Sequence, residues 1–449
     1  MEASGEGMKI GFVSLGCARN VVDLEVMLGS LREHQHEFTL SPEKSDVLLI
    51  NTCGFIRDAV EESLGVILEA IAWKREGKIQ KIVVSGCLPQ RYREELTREL
   101  SGVDVFLGSG EQNRIVEVID TLSRGMEASP TEWPTPRFLY SETSPRFPLT
   151  PPHTAFVKVS EGCLNDCSFC IIPKIRGVYR ERSLESICEE VTRLAETRPL
   201  KEVNLIGQDT SLYGKRLYRE HKLPELLRRL SASGVPWVRV LYLHPAHFTD
   251  DLIEVFRTGK NICPYIDMPI QHASDILLSS MRRECTQEGM RAIFLKLREA
   301  LPGFVLRTSV MVGYPGETDR DFETLLGFIR EIQFDRLGTF IFSREEKTDA
   351  YPLPNQVPLK VKKMRYDAVM TLQREISRER LTRYLGKSVD VLIEEEDPKD
   401  PALWVGRSRG DAPEVDGQVF VHGKNLKIGE IVPVAIRDSY DYDLVGDSV

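Results

Sequence analysis

Three short apolar, β-branched runs each end on a cysteine: KIGFVSLGC from Lys9 to Cys17, DVLLINTC from Asp46 to Cys53, and KIVVSGC from Lys81 to Cys87. Runs of this length and composition read as strands, and the segments between them, Val21 to Leu31 and Ala59 to Arg75, carry a helical pattern. A further apolar run, DVFLG, begins at Asp104. Strands alternating with helices predict a parallel, doubly wound sheet, whose ligands sit beyond the carboxyl ends of its strands. Three cysteines at three such ends should meet at one crest of the sheet, although 36 and 34 residues separate them along the chain. Each is flanked by Gly or a small polar residue (LGC, NTCG, SGC), which suits a backbone bending around a bulky group. A single thiol at a strand end would read as ordinary packing; three in register point to a site.

The remainder divides by pattern. Seven prolines fall between Pro130 and Pro152 without sustained periodicity, so residues 129–152 read as a linker after an N-terminal domain of residues 8–128. A second β/α series runs from AFVKVS at Ala155 through EVNLI at Glu202, WVRVLYL at Trp237, YIDMPI at Tyr265 and FVLRTSVMVG at Phe304 to LGTFIF at Leu337. Six strands separated by helical stretches predict a partial (β/α)6 barrel, with catalytic groups at the strands' C-terminal ends. A basic amphipathic helix from Leu359 to about Tyr384 closes that domain, residues 153–383. Residues 384–449 alternate apolar and polar positions between Gly, Pro and Asp turns, as a small antiparallel β-barrel does.

Nine cysteines, an odd and unevenly spaced set, argue against a disulfide framework and for metal or redox use. Cys188, Cys263 and Cys285 look isolated and read as buried thiols. No run of ~18 apolar residues occurs, and MEASGEGMKIGFVS lacks the regions of a signal peptide. The expectation is a cytoplasmic protein with no membrane partner. A net charge of −9 excludes a generally cationic nucleic-acid binder and argues against a specific DNA partner. From Tyr384 onward 14 Asp or Glu face 7 Lys or Arg, so the last domain carries most of the excess acid.

The segment EGCLNDCSFC sets Cys163, Cys167 and Cys170 as C-x3-C-x2-C directly after the first barrel strand. No nearby Cys or His completes a four-ligand zinc site, though a zinc knuckle in an RNA-binding module is the alternative. Three thiolates suit a cubane iron–sulfur cluster with one open iron, where a small chelating molecule can bind. On a β/α barrel this spacing resembles the radical S-adenosylmethionine (SAM) superfamily. That resemblance implies a [4Fe–4S] cluster and SAM, with Phe169 beside the adenine and GYPGE, ending on Glu317, near the cofactor. It also implies the chemistry: a low-potential cluster donates one electron to the sulfonium, and the 5′-deoxyadenosyl radical formed abstracts hydrogen from an unactivated C–H bond.

SLGCARNVVDLE, NTCGFI and SGCLPQR, together with EGCLNDCSFCIIP and the C-terminal barrel, resemble the methylthiotransferase family over nearly the whole chain. NTCGFI, VNLIGQDTSLYG, YIDMPIQHAS, FSREEKT and GRSRGDAPEVDGQV are similar to the branch that modifies an aspartate of a small-subunit ribosomal protein, rather than adenosine in transfer RNA. Ala18 and Leu24 depart from that branch and leave the cysteines intact. The resemblance implies a second [4Fe–4S] cluster on Cys17, Cys53 and Cys87, and two SAM molecules per turnover. One methylates sulfur at the N-terminal cluster; the other is cleaved at the barrel cluster. It further implies an electron donor and a basic ribosomal protein, free or within the ribosome, as partners. The acidic last domain points the same way, since it would repel phosphate and attract a Lys/Arg-rich protein. Candidate pocket residues are Gln208, Asp209, Tyr213, Arg239, Gln271 and His272, with Phe169, Gln208, Arg307 and Glu317 toward the cofactor; each also suits satisfied structural polarity.

Overall fold

The computed structural model describes residues 7–128 and 133–449 and divides the chain into two compact units. The first comprises Met1–Pro151, Phe156–Asp166 and Cys170–Glu190; the second comprises Pro152–Ala155, Cys167–Phe169 and Val191–Val449. Among the described residues no helix is long and apolar enough to cross a membrane.

In the first unit, β1 (Lys9–Ser14), α1 (Ala18–Glu33), β2 (Glu37–Thr39), β3 (Val47–Thr52), α2 (Arg57–Arg75), β4 (Lys81–Gly86), α3 (Cys87–Tyr92), α4 (Glu94–Glu99), β5 (Val105–Gly108) and α5 (Ile115–Ser123) follow in order. The five strands form one parallel sheet in the order β2-β1-β3-β4-β5. The short strand β2, with only three residues, carries too little pattern to be seen in the sequence. Every residue of β3 is buried, because alternate side chains face opposite layers. Leu48 and Ile50 pack with Ile67 and Ile71 of α2, whereas Val47 and Leu49 pack with Leu24, Met27 and Leu28 of α1 and Ile115 of α5. Both faces are thus covered, as in a doubly wound sheet.

Residues 129–132 of the expected linker lie outside the described residues. From Trp133 to Pro151 no helix or strand forms, yet the segment is fastened down. The Tyr140 hydroxyl accepts from Lys158 N at 3.0 Å and donates to Glu190 at 3.1 Å. Arg146 donates to Glu190 at 2.7 Å and pairs with Glu25, which also accepts from Leu149 N at 2.8 Å. Beyond it the chain forms β6 (Thr154–Lys158), β7 (Ser160–Glu161), α6 (Ile172–Arg176), β8 (Arg180–Glu181) and α7 (Leu184–Thr197).

The second unit continues the β/α alternation through β9 (Glu202–Ile206), α8 (Leu223–Leu230), β10 (Trp237–Val240), α9 (Asp250–Thr258), β11 (Tyr265–Asp267), α10 (Asp275–Ser280), α11 (Gln287–Ala300), β12 (Val305–Val312), α12 (Asp319–Ile332) and β13 (Arg336–Ile341). β9 pairs parallel with β10, and β11, β12 and β13 pair parallel in chain order; an isolated parallel bridge joins Val238 of β10 to Ile262, just before β11. Helix α13 (Leu359–Leu381) buries Val369, Ile376 and Leu381, so it is a packed element as well as a connection. β14 (Ser388–Glu396), β15 (Leu403–Ser408), β16 (Val419–His422), β17 (Ile431–Ser439) and β18 (Leu444–Ser448) close into a barrel in the order 14-15-16-18-17. Its pairs are antiparallel save β16 with β18, which run parallel.

This small barrel is held to the strand starts of the β/α series by buried ion pairs. Glu202, at the first position of β9, accepts from Arg239 at 2.9 Å and Arg407 at 2.6 Å. Arg336, opening β13, pairs with Asp411 at 2.5 Å, and Tyr265 donates to Asp416 at 2.5 Å. Burial raises the Glu202 carboxyl, but Arg407 and Arg239 outweigh it and hold it at about 2. An unfolded Glu titrates near ~4.3. Between those values the unfolded chain binds more protons, so the contribution is full above ~4.3 and is lost as pH falls toward about 2. Glu202→Gln takes the paired carboxylate from buried Arg239 and leaves Arg407 with Glu394 at 2.8 Å; it should cost about 3–5 kcal/mol at neutral pH and flatten the acid limb of stability, both read by denaturant unfolding at several pH values. Arg257→Ala, which breaks an exposed pair with Glu254, should leave the unfolding midpoint unchanged in the same assay.

Candidate functional site

Cys17, Cys53 and Cys87 follow β1, β3 and β4, three adjacent strands of the parallel sheet. Thr52 lies opposite Gly86 in the register, so Cys53 and Cys87, each the next residue, occupy equivalent positions. Cys17 caps the start of α1, and Cys87 opens α3. Two glycines allow the approach. A Cβ on Gly16, whose φ is +96°, would sit 2.8 Å from Cys53 Cβ and 3.2 Å from its Sγ. A Cβ on Gly54 would sit 2.9 Å from Leu88 Cα and 3.0 Å from the carbonyl carbon of Cys87.

Polar side chains behind the crest fix these loops. Asn20 donates to Leu15 O at 2.8 Å and Thr52 O at 3.1 Å, and its backbone carbonyl accepts from Asn51 at 2.7 Å. Ser63 donates to Cys53 O at 2.9 Å. Burial pushes the Cys17 thiol up, yet the guanidinium groups of Arg19 and Arg176 and the Asn20 and Arg19 amides outweigh it, so it sits below its ordinary value. Burial holds Cys53 above its usual range and pushes Cys87 up to about 12, with Arg176 the strongest influence pulling Cys87 down. Three thiols at one crest, with room made by glycine and donors around the sulfurs, fit a three-thiolate iron–sulfur site.

The second motif, Cys163, Cys167 and Cys170, lies on the loop between β7 and α6, and all three thiols are half-buried. Within it, Ser168 donates to Ser280 O at 2.9 Å, and its backbone N–H donates to Met281 O at 3.1 Å. Phe169 packs against Leu277, Met281, Tyr314 and Phe342. Arg283 reaches Cys167 Sγ at 3.7 Å while donating to Pro269 O at 2.7 Å. Cys263 is buried as expected, whereas Cys188 and Cys285 are half-buried.

The other sequence candidates separate into three groups. Asp209, beyond β9, accepts from His247 Nδ1 at 2.9 Å and from Ser211 N at 3.1 Å, beside half-buried Gln208 and buried Tyr213. His244 and His247, beyond β10, stack at 4.8 Å; with Asp209 they bring three potential ligand atoms within 4.8 Å of one another. Sequence reasoning misses these two histidines, because HPAH offers only two isolated imidazoles. His272 is buried with Nε2 3.4 Å from Glu317, whose carboxylate also meets Arg365 at 3.2 Å. Gln271 is pinned at a strand end, donating to Ser309 O at 2.9 Å. Arg239 and Arg307 do not join the groups at the strand ends. Arg239 is bound to Glu202 and to Arg409 O at 3.0 Å, and Arg307 to Asp267 at 2.7 Å and Asp416 at 3.4 Å, so both serve the seat of the small barrel.

Known proteins share these features. The radical SAM superfamily matches residues 157–329, the TRAM domain residues 385–449, and a group described as uncharacterized protein family UPF0004 residues 9–108. Among solved structures, the radical SAM methyltransferase TsrM from Kitasatospora setae superposes with a TM-score of 0.59 at 15% identity, covering 77% of each chain. Barrel, motif and matches define a radical SAM enzyme with a C-terminal TRAM domain, a class that works with a [4Fe–4S] cluster and SAM. The ribosomal protein uS12 methylthiotransferase RimO of Desulforamulus reducens is 45% identical over 98% of this chain and 99% of its own. Those of Geobacter sulfurreducens and Heliobacterium modesticaldum are 43% and 46% identical, covering 98% of this chain and 98% and 95% of theirs. The chain belongs to the RimO family of radical SAM methylthiotransferases.

The close approach at Gly16 is directly testable. Gly16→Ala adds a methyl group against Cys53 at a left-handed backbone position. We expect a loss of about 1–3 kcal/mol in denaturant unfolding, together with reduced iron uptake on anaerobic reconstitution.

Proposed function

We propose that this methylthiotransferase adds a methylthio group to the β-carbon of an aspartate in ribosomal protein uS12, using a second [4Fe–4S] cluster held by Cys17, Cys53 and Cys87. The carrying observation is the convergence of those three thiols beyond adjacent strands β1, β3 and β4. When bound, the clusters and SAM supply the electron, the hydrogen-abstracting radical and the activated sulfur that no side chain provides.

The chain's own groups supply position. Cys17, Cys53 and Cys87 would leave one iron corner for sulfur, and Cys163, Cys167 and Cys170 one corner for SAM. Phe169 offers an aromatic face beside the third cysteine of the motif for adenine. Gln208, Asp209 and Tyr213, with His247 on Asp209, present polar groups at the barrel's strand ends for the substrate. Residues 8–128 serve as the sulfur domain, 129–152 as its connector, 153–383 as the radical barrel and 384–449 as a recognition barrel. Setting aside the buried side chains of Arg407, Asp411 and Asp416, the recognition barrel keeps six basic against twelve acidic side chains. That balance supports a Lys/Arg-rich ribosomal protein over an RNA, met in the cytoplasm with a separate electron donor.

Anaerobically reconstituted enzyme, carrying about 8 iron per chain, should release 5′-deoxyadenosine and add one methylthio mass to uS12 and none to transfer RNA. A gain on transfer RNA alone would replace the substrate, and zinc without iron would replace the chemistry. Cys17→Ala should keep SAM cleavage while losing methylthiolation; full product from that variant would end the division of labour between the two trios.

A further inference from the structure

We propose that Arg176 is a positioning residue that sets its guanidinium against the sulfur of Cys87 and raises the reduction potential of the cluster on Cys17, Cys53 and Cys87. The inference rests on the reading that those three thiolates are ligands. Arg176 ends α6, six residues beyond Cys170, and its side chain is 2% exposed. Nη2 donates to Cys87 Sγ at 3.2 Å and to Asn20 Oδ1. Nη1 donates to Asp23 at 2.6 Å and lies 3.6 Å from Glu161.

The arrangement is polar in one direction. Asp23 and Glu161 are themselves shared with Lys158, at 2.6 and 2.7 Å, so two cations and two anions form a buried, internally neutral quartet. The carboxylates sit on Nη1 and the sulfur on Nη2, so the sulfur meets the positive end of this quartet. A charge-assisted N–H···S bond stabilises the electron-rich state of a thiolate-bound cluster, and hydrogen bonds to cluster sulfurs are among the protein's means of setting potential. Within the same unit, Arg176 also ties the residues just after Cys170 to the crest of the sheet. A purely structural ion pair would need Asp23 and Glu161 alone; the Nη2 contact with sulfur is what such a role leaves unexplained.

The test uses the full chain with Cys163, Cys167 and Cys170 replaced by Ala, reconstituted so that only the N-terminal cluster reports, and titrated potentiometrically by EPR. Arg176→Gln is made together with Asp23→Asn, which keeps the buried quartet's remaining charges balanced. We expect iron to be retained and the reduced-to-oxidised ratio at the parent midpoint to fall about tenfold, or about 59 mV for a one-electron couple. Arg176→Lys, which keeps the charge and loses the forked geometry, should fall by less. An unchanged midpoint with full iron overturns the inference. If the paired variant loses its iron, the Lys variant decides: a lowered midpoint supports the inference and an unchanged one overturns it. Cys17→Ala in the same background checks the underlying reading, since full iron with an unaltered spectrum there would show that the trio does not ligate.

Discussion

A parallel sheet covered on both faces has nowhere to present chemistry except beyond its strand ends. That constraint governs the N-terminal half. Val47, Leu49 and their neighbours are committed to one helical layer, Leu48 and Ile50 to the other, and no side chain within β3 reaches solvent. Cys53 and Cys87 lie beyond those layers as the first residues past Thr52 and Gly86, half-buried and buried respectively. The parallel register then does what sequence proximity does not, setting side by side two thiols 34 residues apart.

For that reason the trio is legible in the amino-acid sequence. Apolar runs of strand length that end on the same residue type, separated by helical stretches, point to one crest of a parallel sheet, although β2, which precedes β3 in the chain, is not visible in the sequence. The groups that surround the thiols are not legible there. Asn20 and Asp23 sit on a helix whose pattern looks merely amphipathic, and Arg176 lies in a five-residue helix 89 positions from Cys87. Spacing along a chain carries information about neighbours within an element; it carries none about a side chain arriving from another element.

The same limit explains the misplacement of Arg239 and Arg307. Both lie on barrel strands, and a basic residue on such a strand is a reasonable candidate for a carboxylate of the substrate or of SAM. Position along the strand decides otherwise. Arg307 is the third of eight residues in β12, near its start, and Arg239, though the third of four in β10, turns to Glu202 at the first position of β9. What covers those starts is the small barrel, through Arg409 O, Asp416 and the shared Glu202. A guanidinium buried there is met partly by carboxylates of neighbouring strands, Glu202 and Asp267, and partly by Arg409 O and Asp416 from a domain more than a hundred residues away, and only the fold reveals which.

The chain contains two buried ionic networks that differ in one respect. Around Glu202, arginines meet carboxylates and carbonyl oxygens, the expected outcome where domains are fastened and a charge must be neutralised. Around Asp23 the ion pairs are as short, but Arg176 turns its second amine to a sulfur atom. Sulfur as a neutral thiol is a weak acceptor and returns little for a buried cation; as a thiolate it returns a charge-assisted bond. With Cys87 as a metal-bound thiolate, as proposed, the guanidinium meets a charged acceptor in place of a neutral one. On the proposed reading of Cys17, Cys53 and Cys87 as ligands, the ion pairs on Arg176 are the part of the scaffold that makes room for the charge of a thiolate.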